Sequence, residues 1–339
     1  MKTRFALLLL AFAAVGCTDA VLGPEASTDR GAIFDDLWSE VDRRYPYLEY
    51  KHIDWNALRD QYRPQALAAT SDAALAGVLG RLLEELRDMH VSLTPGPNAT
   101  PLRYVGPHER TPAVYDVRTV DARLTGAAST SGGNVRYGMA SPDVGYVRIA
   151  SFAGGDWGAE MDEALRAMPG ARSLILDVRD NTGGSRNLAL SVAGRFASRE
   201  QVFGYIRLRN GPKHTDFTDF IEQRVKPAGQ RFTGPVTVLT NRRTMSAGED
   251  LVLALRALPG VTVVGDTTAG ATGAPIPREL ANGWSYQISE FIQYTRDKQP
   301  FEDVGLAPDI VVTGDAADVL ARRDQAFDRA FDRAMEMAR

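Results

Sequence analysis

The chain has 339 residues, 44% of them hydrophobic and 24% charged, which is enough apolar content for one large or two modest globular domains and excludes wholesale disorder. Its formal net charge of −4 gives no basic footprint, so no nucleic-acid partner is expected. The single cysteine, Cys17, excludes an internal disulfide and a thiol nucleophile in the folded part.

The first 17 residues, "MKTRFALLLLAFAAVGC", pair a basic start (Lys2, Arg4) with an apolar run from Phe5 to Val15. That run is too short to cross a bilayer and reads as a secretory signal peptide. "AVGC" resembles a bacterial lipobox, which implies cleavage before Cys17 and a lipid on that cysteine. The chain would then be anchored to a membrane of the bacterial cell envelope, facing the periplasm or the exterior. The plainer alternative is an ordinary signal peptide with an incidental cysteine. Residues 18–30 are small and polar and fit a tether.

Residues 31–93 carry helical periodicity and predict a small N-terminal helical domain. "IFDDLWSEVDRRYP" puts Ile33, Leu37, Trp38 and Val41 on one apolar face and stops at Pro46. "DWNALRDQYRP" repeats the format and ends at Pro64. "SDAALAGVLGRLLEELRDMH" opens on a good cap, Ser71, and runs apolar every three to four residues. Residues 94–140 are rich in Pro, Gly, Ser and Thr with a few valine-containing runs such as "PAVYDVRTV", and read as a linker with short strands.

Across residues 141–314 the texture alternates. Strand-like "VGYVRIASF", "SLILDVRDN", "FGYIRLR", "PVTVLTN" and "VTVVGD" are interleaved with helix-like "EMDEALRAMP", "SRNLALSVAGRF" and "SAGEDLVLALRAL". Near-continuous apolar strands alternating with helices predict an α/β fold with a mainly parallel sheet. "GWSYQISEFIQYT" reads as a later pair of strands or a hairpin, and residues 315–339 as a charged amphipathic helix.

Three places in this pattern are chemically suggestive. Ser246, in "NRRTMSAGED", stands between an apolar strand and an apolar helix. It is either a helix N-cap or a nucleophile beside backbone N–H groups that would hold an oxyanion. Gly183-Gly184 close "LILDVRDNTGG", either as a tight turn or as open N–H groups for a ligand. His90 ends a strongly apolar helix, either favouring its dipole or acting as a base. The other histidines, His52, His108 and His214, lie in loops or irregular polar stretches. No HExxH or CxxC is present, and "GDTTAGATGAP" lacks the Lys-Ser/Thr ending of a phosphate loop. No metal and no cofactor are expected.

Taken together, "SLILDVRDNTGG", "PVTVLTNRRTMSAGEDLVLALRALPGVTVVGDTTAGATG" and "FEDVGLAPDIVV", in that order, resemble the carboxy-terminal processing (tail-specific) serine proteases. The stretch from Ile33 to Leu93 resembles the helical segment of their tricorn-core branch. The resemblance covers residues 32–312 and implies a crotonase/Clp-like spiral for the α/β core. It implies Ser246 as nucleophile, His90 as base and Glu302 as the acid that orients it. The N–H groups of Gly184 and Ala247 would form the oxyanion hole, with Gly183 shaping the turn. Protein or peptide substrates, cleaved through an acyl-enzyme, follow from the same resemblance.

The sequence departs from the family's pattern in three places. The lysine of the serine–lysine members falls on Ala271. The serine that precedes the histidine in tricorn-type sites is Met89. Only about fifty residues separate His90 from Gly145, too few for a PDZ domain with linkers. A retinoid-binding protein that shares this module supplies the alternative, a non-catalytic binder of apolar ligands or peptides. An esterase with the same triad is a third reading.

Overall fold

The computed structural model describes residues 28–107 and 115–339. The stretch containing Cys17, most of the 18–30 segment, and His108 lie outside the described residues. Three helices open the described chain: α1 (Arg30–Arg44), α2 (Trp55–Ala68) and α3 (Asp72–Glu84). Asp29, Asp54 and Ser71 cap them, each side chain accepting from a backbone N–H of the first turn. α1 ends ahead of Pro46, as expected. Pro64, expected to end α2, lies inside it. The N–H that proline lacks would serve the carbonyl of Asp60, an exposed residue where water can replace it. The indoles of Trp38 and Trp55 lock α1 to α2, each donating to the other's carbonyl at 3.0 Å.

This helical region shares its core with distant strands: Phe34, Leu37, Leu79 and Leu82 pack in one cluster with Trp284, Tyr286 and Ile288. The contact is built by a four-stranded antiparallel sheet ordered β11 (Pro275–Glu279), β12 (Ser285–Ser289), β1 (Ser92–Thr94), β2 (Leu102–Arg103). β1 follows directly on His90 and pairs with β12 across Ser92↔Gln287.

The central sheet has seven strands in the order β14 (Ile310–Val311), β10 (Val261–Gly265), β9 (Val236–Thr240), β6 (Ser173–Asp177), β5 (Val144–Ile149), β4 (Val135–Ser141), β3 (Thr125–Ser129). It is parallel from β14 to β5 and antiparallel beyond. The mainly parallel α/β architecture thus matches the expectation. Leu174 and Leu176 of β6 face α5 (Trp157–Ala167), α6 (Arg186–Ala193) and α7 (Ala247–Arg256). Ile175 faces the other side, against Phe327 and Ala330 of α9 (Gln325–Met337). Burial of both faces explains why the strand reads as an unbroken apolar run.

Four details differ from the sequence reading. β3 and β4, within the stretch read as a linker, extend the core sheet. The valine run "DVRTV" is a short helix, α4 (Val117–Asp121), not a strand. Of the two readings of the late segment, the pair of strands holds and the hairpin does not: the strands separate at Glu290, with β12 in the four-stranded sheet and β13 (Phe291–Tyr294) pairing β7 (Gln201–Leu208), which in turn pairs β8 (Ile221–Val225). The C-terminal helix is two, α8 (Ala316–Leu320) and α9, divided by a turn at Ala321–Asp324.

Candidate active site

Two loops leave adjacent parallel strands at the same edge of the central sheet. β6 and β9 are paired from Leu174↔Val236 to Asp177↔Leu239, so the chain after Asp177 and the chain after Thr240 emerge side by side. The carboxyl ends of parallel strands are where open α/β sheets place ligands. The loops are tied together: Met245 N–H donates to the Asn181 carbonyl (3.0 Å), Thr244 Oγ1 to the Val178 carbonyl (2.8 Å), and Asp180 N–H to Asn241 Oδ1 (3.0 Å). Asn181 is buried and bridges to a third strand. Its Nδ2 donates to the Ile149 carbonyl (2.9 Å) while its Oδ1 accepts from Gly183 N–H (2.9 Å).

Ser246 occupies the N-cap position of α7 with φ 54° and ψ −123°. Such left-handed φ in a non-glycine residue is strained and recurs at functional sites. The conformation is held from several sides. Ser246 N–H faces the Ala271 carbonyl (3.1 Å) and Glu249 Oε2 (3.1 Å), and a Cβ on Gly183 would stand 2.7 Å from the Ser246 Cβ. Only glycine fits there, and its φ of +82° demands glycine as well. Gly183 also lies against the start of α7, with the position of its absent Cβ 3.2 Å from Ala247 N. Among the described residues, the N–H groups of Gly184 and Ala247 donate to no protein acceptor.

Ser246 Oγ lies 3.0 Å from His90 Nε2, across 156 positions of sequence. His90 is 8% exposed and Ser246 is partly exposed, so the hydroxyl is reachable and the ring is screened from water. His90 does not end α3. It sits six residues beyond it, in the turn that leads into β1. His214 pairs with Asp42 of α1 (2.9 Å), and His52 is exposed. Lys298 is stacked over the rings of Tyr205 and Phe220, and the side chain at the family's lysine position, Ala271, is buried and chemically inert.

Behind His90 lies a buried polar cluster. Glu302 belongs to it, but its oxygens are taken by other donors: Oε1 accepts from Lys51 Nζ (2.9 Å), and Oε2 from Thr272 N–H (2.8 Å) and Thr272 Oγ1 (2.9 Å). The structure therefore brings Glu302 near the site without giving its carboxylate to the His90 ring. Tyr47 hydroxyl meets Thr272 Oγ1 at 2.7 Å, and Lys51 Nζ also donates to the Arg87 carbonyl (2.9 Å). Asp88 accepts from His90 N–H on Oδ1 (2.8 Å), and on Oδ2 from Tyr45 hydroxyl (3.0 Å) and Ser289 hydroxyl (2.9 Å). Lys51 and Thr272 escape a sequence reading because their partners lie on other elements. Asp88 and Asn181 each accept from an N–H two residues on, and their spacing does not disclose the distant partners, Tyr45 and Ser289 for Asp88 and the Ile149 carbonyl for Asn181. Glu249 carries a legible sign, its place three residues after Ser246 in a capping-box spacing.

Burial sets the protonation chemistry. It holds His90 below its usual value near 6.5, while Asp88, the Thr272 backbone and Asp250 pull the other way. The ring is thus neutral near pH 7 and able to accept a proton from Ser246. Burial and the Asp88 charge push Glu302 up, and Lys51 pulls it back. Burial would lower Lys51, but Glu302, Asp88 and Asp303 outweigh it, so the ammonium stays charged. Burial drives the Glu249 carboxyl up to about 8, against four donors: Thr268 Oγ1 and the N–H groups of Gly270, Ala271 and Ser246. Among the described residues no cluster of three or more His, Cys, Asp or Glu could hold a metal ion.

The model of peptidase family S41 matches residues 143–312, and that of the tricorn protease C1 domain matches residues 27–84. The carboxy-terminal processing protease CtpA of Bacillus subtilis is 25% identical over 174 residues, 51% of this chain and 35% of that protein. A carboxyl-terminal-processing protease of Synechocystis is 30% identical over 172 residues, 50% of this chain and 38% of that protein. The chain therefore spans little more than a third of the length of these curated relatives. A crystal structure of a Parabacteroides merdae protein superposes with a TM-score of 0.80 at 32% identity, covering 91% of this chain and 97% of that one. The tricorn protease shares the fold at a TM-score of 0.57 and 16% identity, covering 91% of this chain and 37% of that one. Neither family match indicates a PDZ domain, and His90 falls between the two matched stretches. The S41 match spans half of the chain and contains the Gly183–Gly184 turn, Ser246 and Glu302, so the chain belongs to peptidase family S41.

Proposed function

We propose that this chain is a serine endopeptidase of the carboxy-terminal processing type that works through an acyl-enzyme on Ser246. The observation that carries the reading is the 3.0 Å approach of His90 Nε2 to Ser246 Oγ, between a neutral buried ring and a reachable hydroxyl on a strained turn. His90 takes the Ser246 proton as Oγ bonds to the substrate carbonyl carbon. The N–H groups of Gly184 and Ala247 receive the oxyanion, a contribution of about 10²–10³ in rate for each such donor. The C–N bond then breaks, and His90 hands the proton to the departing amine. Water, deprotonated by His90, repeats the sequence on the ester and frees Ser246. Glu302 holds Thr272 and Lys51 behind the ring. No step uses a lysine base, in keeping with alanine at position 271.

The proposal extends to place and substrate. The basic start, short apolar run and "AVGC" of residues 1–17 support a lipid anchor on Cys17 and action on exported or envelope proteins. The mature chain, incubated with an unfolded protein and with matched peptides and esters, should cut the polypeptides, and Ser246→Ala should cut none. Cleavage by both proteins alike, or binding of apolar ligands with no hydrolysis, would remove the proposal.

A further inference from the structure

Given the reading of Ser246 and His90 above, on which this inference rests, one question remains open: which carboxylate orients the base. We propose that Asp88 is the positioning residue for His90, and that Glu302 acts at one remove, by fixing Lys51 and Thr272.

The geometry distinguishes the two acids. Asp88 Oδ1 accepts the backbone N–H of His90 at 2.8 Å and stands 4.0 Å from His90 Nδ1. Nδ1 is the ring nitrogen turned away from Ser246; it is buried and makes no hydrogen bond of normal geometry among the described residues, although the Thr272 backbone also favours the protonated ring. A carboxylate at that distance favours a proton on Nδ1, which leaves the Nε2 lone pair for Ser246. Asp88 is itself immobilised, its second oxygen accepting from Tyr45 and Ser289. Both donors come from separate elements, the end of α1 and the end of β12, so the carboxylate is fixed with respect to both halves of the cluster. Among the described residues no lysine or arginine stands within ion-pair distance of Asp88, whereas the His90 ring does.

The other charged groups around the ring are accounted for. Glu302 is saturated by a lysine and a threonine. Asp250 acts on His90 through space but is held by Gln293 Nε2 (2.6 Å) and Arg186 (3.1 Å). Lys51 opposes a positive ring, and its own charge is answered by Glu302 and Asp303. Tyr45 and Tyr47 stay neutral, since burial raises both hydroxyls well above their usual range. Asp88 is therefore the acid near the ring whose field no cation cancels at contact distance.

The test is nuclear magnetic resonance of the full chain with labelled histidine rings, His90 being assigned through His90→Gln. It needs no turnover, so an inactive chain would sink the peptidase reading and still report on Asp88. In the unaltered chain the neutral ring should carry its proton on Nδ1. In Asp88→Asn, where the Tyr45 and Ser289 hydroxyls can turn to accept from the new amide, the ring pKa should fall by about one unit. In Lys51→Met/Glu302→Gln, which removes the ion pair without changing net charge, it should move by less than half of that. The acid limb of kcat/KM should follow the ring in each protein. An Nε2–H tautomer in the unaltered chain, an unchanged ring in Asp88→Asn, or a larger drop in the Lys51/Glu302 pair would each overturn the assignment. Should Asp88→Asn fail to fold, an Nε2–H tautomer in the unaltered chain or a drop of about one unit in the double variant still overturns the assignment.

Discussion

A Cβ placed on Gly183 would stand 2.7 Å from the Cβ of Ser246, so the turn after β6 and the nucleophile turn after β9 fit together only while position 183 has no side chain. Gly183→Ala also meets the wrong backbone, at φ +82°. The substitution should cost about 1–3 kcal/mol of stability. It should lower kcat by about 10² or more, because a shift of about 1 Å at the nucleophile is enough for that loss. Urea unfolding and steady-state cleavage together check it. A variant of unchanged kcat would show that the turn does not position Ser246.

Removing His90 should be felt in catalysis more than in folding. His90→Gln is expected to lower kcat/KM by about 10²–10⁴, with peptide binding much less affected. Progress curves at saturating and limiting peptide separate the two effects.

The pH dependence follows from burial. His90 is held below 6.5 in the fold, and its neutral form is the active one. Activity should stay high at pH 7 and fall only as the pH drops through the lowered value. Stability shifts in the same direction: below about 6.5 the unfolded chain binds a proton at His90 that the folded chain still refuses, so His90 destabilises the fold as pH falls. A pH–rate profile that rises only above pH 9 would contradict the histidine base and point to a lysine.

Lys51 and Glu302 form an ion pair with each side chain 2% exposed. Breaking such a pair from one side leaves an uncompensated buried charge, at a cost of about 3–5 kcal/mol. Lys51→Met should therefore be more destabilising than Lys51→Met/Glu302→Gln, in which no buried charge is stranded and only the half-exposed Asp303 loses its lysine. A double-mutant cycle by chemical denaturation reads the coupling directly, and additive effects would contradict it.

Glu249 accepts four hydrogen bonds and joins Ser246 to the 268–271 loop. Glutamine has nearly the same shape but presents an amide to some of those donors, three of which are backbone N–H groups that cannot reverse. Glu249→Gln should thus lose about 1–3 kcal/mol of stability, together with part of the activity, although it never touches substrate. Thermal unfolding at neutral pH measures the first, and initial rates the second.

Much of this was legible in the sequence, and the reasons differ by element. "SLILD" and "PVTVL" read as buried strands because both of their faces are covered, and their pairing is what sets Gly183 beside Ser246. The prolines were less reliable: Pro46 follows the end of α1, whereas Pro64 is tolerated where an exposed carbonyl loses its partner. The stretch before Val144 reads as a linker with short strands; that β3 and β4 join the core sheet was not legible because both are partly exposed and neither carries an unbroken apolar run. At the site, a strand-to-helix serine and a paired glycine have local signatures. Lys51 and Thr272 have none, since each owes its role to groups up to 252 positions away. Asp88 lies two residues from His90, but the Tyr45 and Ser289 hydroxyls that fix it are 43 and 201 positions away. The distance between Glu302 and the His90 ring, occupied by Thr272, was also beyond the reach of motif order.

The most direct test is covalent. The purified chain treated with a fluorophosphonate should gain one adduct, located on Ser246 by mass spectrometry, and folded His90→Gln should label at least about 10²-fold more slowly. Equal labelling of Ser246→Ala, or a folded wild-type chain that takes no adduct at Ser246, would contradict the assignment of Ser246 as the nucleophile activated by His90.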